Sequence, residues 1–144
     1  CPTSNLFLGS GLFEYEKMRA AGVRVALGTD IGGGTSLSPF ATAKAAYEIA
    51  QFRGTSISPF EAFYLLTLGG ARALRLDDKI GRIAPGYEAD LTVLDLNSTE
   101  IIRHRMRGAN NLSDALFAQI ILGDDRAIRA VYANGMPIFE SNPL

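Results

Sequence analysis

Apolar residues recur along this chain first at helical and then at strand spacing. From Gly11 to Ala21, Leu12, Tyr15 and Met18 fall at three-residue steps among charged neighbours, the pattern of a surface helix that Gly22 ends. The run Val23 to Leu27 predicts a short strand, with Gly28-Thr29-Asp30 at its carboxyl end. Gly32-Gly33-Gly34 then reads as a loop able to adopt backbone angles closed to other residues. Ser38-Pro39 opens a helix as N-cap and first-turn proline, with Phe40, Ala43, Tyr47 and Ile49 or Ala50 on its buried side. Ser58-Pro59-Phe60-Glu61 adds the S-x-x-E capping box, in which serine and glutamate satisfy orphan amides reciprocally. That helix is expected to run through Leu68, with a further turn over Ala71 to Leu74 after Gly69-Gly70.

The character changes near Leu76. Ile80 to Ile83, Ala89 to Leu94, Ile128 to Ala133 and Pro137 to Glu140 are short β-rich runs separated by turns such as Pro85-Gly86 and Asn134-Gly135. They predict a small sheet. Between them Leu112, Leu116 and Ile120 repeat at four-residue steps and Gly123 supplies a stop, so one helix is expected to interrupt the strands. Helix, strand, helix, helix, followed by a sheet, is an α/β order of the kind that closes a parallel barrel.

Composition narrows the classes. The chain has 144 residues, 47% of them apolar and 20% charged, which fits a folded globular domain rather than disorder. Its 14 basic and 15 acidic residues form no long run of either sign, which disfavours binding to nucleic acid or an anionic membrane. No apolar stretch approaches the roughly 18 to 20 residues of a bilayer span, and the first residues lack the regions of a signal peptide, so a cytoplasmic location is expected. One cysteine, Cys1, rules out an intrachain disulfide and a Cys-based zinc cluster, and His104 is the single histidine. A catalytic zinc normally takes about three protein ligands. A metal enzyme built on this chain would therefore be incomplete. The opening Cys1-Pro-Thr-Ser-Asn5, with no initiating Met, reads as the end of a strand whose beginning is missing.

Asp30 is the leading candidate for chemistry. A carboxylate at the end of an apolar strand, followed by a glycine-rich loop, is where parallel barrels place catalytic groups. Its competitor is an aspartate that merely caps a turn. A phosphate loop is disfavoured, because Gly28 to Ser36 contains neither G-x-G-x-x-G nor a lysine before its Thr or Ser. Cys1, Thr3, Ser4 and Asn5 rank second: Ser4 and Asn5 are candidate substrate contacts, although Ser and Asn after proline also form ordinary turns. The H-x-E and P-C-x-x-C pair of cytidine-deaminase zinc sites is absent.

Three separated segments together resemble the amidohydrolase superfamily of (β/α)8 barrels with one or two metals. Cys1-Pro-Thr-Ser-Asn5-Leu6 looks like the end of its seventh strand, and Gly28-Thr29-Asp30 like the eighth, where the family's aspartate binds metal. Gly81 to Val93 is similar to the family's return into a β-sandwich built from both chain ends. Within the superfamily, Asn5 to Phe13, Gly28 to Thr35 and Leu122-Gly123-Asp124-Asp125-Arg126 resemble the guanine deaminase family. The resemblance implies two parts: residues 1–76 as the closing strands and helices of a metal-dependent barrel, and residues 77–144 as part of a small β-sandwich with an inserted helix.

It further implies hydrolysis of guanine to xanthine and ammonia by a metal-activated hydroxide, since a divalent ion, zinc or iron, lowers the pKa of water from about 16 toward 7. Asp30 would bind that ion and act as general base. The family's histidines and acidic proton shuttle have no counterpart in this sequence, so the isolated segment is expected to be inactive. Another amidohydrolase, acting on an aminated heterocycle or cyclic amide, remains an alternative. Related deaminases are often homodimers, yet Arg103-His104-Arg105 reads first as a solvated surface. Asp90, Asp95 and Asp124-Asp125-Arg126 are expected to organise local turns.

Overall fold

A computed structural model describes residues 1–141, leaving 142–144 of the second predicted part outside the described residues. The chain begins in α1 (Pro2–Leu8), not in the expected strand end. Proline suits the first helical position because its missing N–H has no helical partner there. Gly9, at φ 69°, closes the helix: its amide donates to Leu6 and the Ser10 amide donates to Asn5. Such a left-handed double cap needs glycine. Next, α2 (Tyr15–Ala20) starts later than the periodicity suggests, because Gly11 at φ 115° holds the preceding backbone outside helical angles.

Residues 23–27 form no strand. Their backbone ties to helices are Val23 N–H to the Met18 carbonyl of α2, 3.0 Å, and Leu27 N–H to the Leu65 carbonyl, 3.2 Å. A strand needs a neighbour to pair with, and the described sheet lies elsewhere. The segment is held by packing, with Val25 and Leu27 against the core.

That core is the meeting of α3 (Pro39–Phe52), α4 (Pro59–Leu66) and α7 (Leu112–Leu122). Ala43, Ala46, Ala50 and Ala62 are buried with Tyr15, Ile57, Leu65 and Ile120. Small side chains let the helices approach closely, so the buried face of α3 is wider than predicted, and Tyr47 stays partly exposed with its ring edge-on to Phe117. On α7 the expected stripe is displaced. Leu112 is exposed, while Ala115, Ala118, Gln119 and Ile120 are buried, because α3, α4 and the helix Glu100–Met106 all pack on α7.

The capping box at Ser58 forms by half. Ser58 Oγ accepts from the Glu61 amide at 3.1 Å, but the Glu61 carboxylate accepts from the Tyr15 hydroxyl at 2.6 Å instead of reaching back. The buried hydroxyl needs a partner, and the carboxylate is the one within reach. The helix ends at Leu66, two residues short of expectation, and α5 (Leu68–Leu74) follows directly.

Three strands, β1 (Leu91–Leu94), β2 (Ile128–Ala133) and β3 (Met136–Glu140), form an antiparallel sheet in that order. Asn134 and Gly135 both take positive φ, 48° and 76°, in a two-residue hairpin turn. The Asp90 carboxylate fastens this turn by accepting from the Asn134 amide at 2.8 Å. Ile80 to Ile83 is not a strand, because Gly81 at φ 94° folds against Ala71 and Leu68 of α5. Two helices rather than one interrupt the strands: α6 (Glu100–Met106), capped by the Thr99 hydroxyl, precedes α7. His104 lies on α6 and is exposed. No helix among the described residues is long and apolar enough to cross a membrane.

The Tyr15–Glu61 bond ties α2 to α4 and predicts a pH signature. Burial, then the hydrogen bond and charge of Glu61, raise the Tyr15 pKa above its usual value of about 10. Protonated Tyr15 thus stabilises the fold fully below about pH 10, and that contribution is lost as pH rises through the folded-state pKa. Denaturant unfolding from pH 8 to 11.5 is expected to show a Tyr15→Phe variant about 1 kcal/mol less stable at pH 8, with the gap closing at high pH. A gap independent of pH would contradict the coupling.

Candidate functional site

Packing carries Gly28-Thr29-Asp30 to the end of the 23–27 segment, where the backbone turns sharply. Asp30 has φ 50°, a left-handed conformation that strains most residues and that aspartate tolerates better than they do. Its carbonyl accepts from the amides of both Gly33, at 3.0 Å, and Gly34. The three glycines have different reasons. Gly32 alone takes positive φ, 112°. At Gly34 a Cβ would stand 2.0 Å from the Thr29 carbonyl oxygen, and at Gly33 it would stand 3.0 Å from Asp30 Oδ2. Room, more than backbone freedom, is what the last two positions require.

Asp30 is exposed, and no donor among the described residues reaches its carboxylate. An aspartate that organises a turn spends its oxygens locally. Asp95 does so on the Asn97 amide at 2.8 Å, and Asp124 on the amide and guanidinium of Arg126. The Asp124 carboxyl is held below its usual pKa, chiefly by that guanidinium. The Asp30 carboxylate makes no such bond among the described residues. A strained backbone that presents an unpaired carboxylate is the kind of outlier that motivates a functional hypothesis.

α1 lies beside this turn. Measured from the place a Gly33 Cβ would occupy, Leu8 Cδ1 is 3.3 Å and Ser4 Cβ 3.6 Å away. Ser4 is buried, and its hydroxyl donates to the Cys1 carbonyl at 3.0 Å. Asn5 is partly exposed, and its side-chain amide has no hydrogen bond among the described residues. Cys1 is exposed, with Sγ 3.6 Å from the Cβ position of Gly28. Ser4, Leu8 and Asp30 thus converge on Gly33. The packing roles of Leu8 and Gly33 escape sequence reasoning, because neither residue type signals a site. His104, exposed on α6, is not among the groups gathered there.

No group of three or more His, Cys, Asp or Glu residues among the described residues could hold a metal ion. Asp30 fits a narrower role. Zinc is usually four-coordinate and accepts carboxylate oxygen, and a carboxylate with no competing donor is free to supply one ligand.

The family model described as amidohydrolase family matches residues 1–137. A guanine deaminase of Escherichia coli strain K12 is 46% identical over 142 residues, covering 99% of this chain and 32% of that protein. A solved structure of E. coli guanine deaminase superposes with a TM-score of 0.96, at 46% identity, over 99% of this chain and 33% of that one. Guanine deaminase from C. acetobutylicum, solved with guanine bound in its active site, gives a TM-score of 0.81 at 31% identity, covering 96% and 33% of the two chains. The chain spans about a third of the length of these relatives. Matched along residues 1–137, the chain belongs to the amidohydrolase family.

Proposed function

We propose that the full-length protein carrying this segment hydrolyses guanine to xanthine and ammonia, and that Asp30 is both a metal ligand and the general base. The observation that carries the reading is the Asp30 carboxylate: exposed, unpaired and held on a tight turn. Likeness to guanine deaminases along nearly the whole segment supports the choice of substrate. In this reading residues 1–76 close a (β/α)8 barrel, with the unpaired run 23–27 as its eighth strand, and residues 77–144 contribute to a β-sandwich.

A divalent ion, zinc or iron, would supply a water acidic enough to attack near neutral pH. The protein's own part is positional. The left-handed turn sets where the Asp30 side chain leaves the backbone, and its carboxylate would hold the ion and serve as general base toward water. Asn5, whose amide both donates and accepts, is proposed to face the purine edge. Ser4 stands behind it, holding the first turn of α1 through the Cys1 carbonyl.

Turnover by the metal-loaded, full-length protein tests this reading. Wild type is expected to release ammonia from guanine, and Asp30→Asn, which keeps the size and tolerates the same backbone angles, to lower kcat by about 10² to 10⁴ while circular dichroism stays unchanged. Near-normal turnover by Asp30→Asn would reject Asp30 as base.

A further inference from the structure

We infer that Gly33 is a positioning residue for the Asp30 carboxylate, its missing side chain being the space against which that carboxylate rests. The inference rests on Asp30 being the metal ligand proposed above. Gly33 does not take positive φ, so conformational freedom does not explain glycine here. Its surroundings do. A Cβ at this position would meet Asp30 Oδ2 at 3.0 Å, Leu8 Cδ1 at 3.3 Å and Ser4 Cβ at 3.6 Å. The first two contacts are tighter than ordinary packing, so something must yield.

The three neighbours differ in how they can respond. Ser4 is 3% exposed and its hydroxyl is bonded, so it is held in place. Leu8 is 62% exposed and ends in a mobile methyl group. Asp30 is exposed, and its carboxylate has no hydrogen bond to break among the described residues. An added methyl group would therefore displace the two free side-chain ends and leave the backbone nearly untouched. For the fold that displacement is cheap. For a metal ligand it is not: the shift is a few tenths of an ångström, and metal–ligand distances are held within about 0.2 Å. Since a misplacement of about 1 Å can cost on the order of 100-fold in rate, such a shift is expected to cost about 3- to 10-fold. Gly34 provides the contrast: its Cβ would meet a backbone carbonyl at 2.0 Å, which cannot rotate away.

The test uses the full-length protein in three variants, Gly33→Ala, Gly34→Ala and Asp30→Asn, with zinc as the probe. Measured are Tm without metal, the rate of zinc loss to a chelator, and kcat and KM for guanine. Gly33→Ala is expected to keep its Tm within about 3 °C of wild type, while zinc loss accelerates about 3- to 10-fold and kcat falls about 3- to 10-fold with KM nearly constant. Gly34→Ala is expected to lose far more Tm. Wild-type zinc loss and kcat in Gly33→Ala, beside clear losses in Asp30→Asn, would overturn the positioning role alone. A Tm loss in Gly33→Ala as large as that in Gly34→Ala, or failure to fold, would overturn it too, since the glycine would then serve the fold. Normal zinc retention and turnover in Asp30→Asn would overturn both this inference and the ligand assignment beneath it.

Discussion

The turn from Thr29 to Gly34 folds back on itself because Gly34 carries no side chain. The Asp30 carbonyl accepts two amides from that turn, and a Cβ at Gly34 would fall inside the van der Waals envelope of the Thr29 oxygen. This steric condition fixes the backbone at Asp30 in a left-handed conformation and so sets where its carboxylate leaves the chain. The neighbouring elements serve that placement. Val25 and Leu27 press the incoming segment onto the α3, α4 and α7 core, and α1 supplies Leu8 and Ser4 on the far side of Gly33.

Residues 23–27 show how packing can stand in for a ladder. The segment keeps a single backbone bond to α4, through Leu27. Burial of apolar surface contributes about 25 cal/mol per Å² whether or not strand pairing accompanies it, so Val25 and Leu27 can hold position without neighbours. Tyr15 and Glu61 reinforce the same region by linking α2 to the first turn of α4. Glu61 makes that link at the expense of the reciprocal cap that its spacing from Ser58 would otherwise form.

Much of the fold was legible where a local signal has a local cause. Ser38-Pro39 and Ser58-Pro59 mark helix starts, Gly22 and Gly123 mark stops, and Asn134-Gly135 turns a hairpin, each through backbone geometry that one or two residues decide. Misses came from two causes. At Pro2 to Gly9 the proline and glycine that bracket a helix were both visible, but the reading of a strand end prevailed over them. At α6 the Thr99 cap was hidden beneath a run of charges, and at Val23 to Leu27 apolar β-branched residues announced a strand that has no described partner. For the candidate site, the tight turn at Asp30 was legible from its place before a glycine run. The division of labour among Gly32, Gly33 and Gly34 was not, because steric room depends on which atoms the fold brings near.

Asp30 is one carboxylate, and no metal-binding group of three side chains accompanies it among the described residues. Its proposed work as ligand and base depends on partners supplied by the rest of a longer chain, consistent with a segment that spans about a third of its relatives. Anomalous diffraction from crystals of the zinc-loaded, full-length protein tests this most directly. The ion is predicted at about 2.0 to 2.2 Å from an Asp30 carboxylate oxygen; an ion bound with Asp30 outside its coordination shell would contradict the assignment.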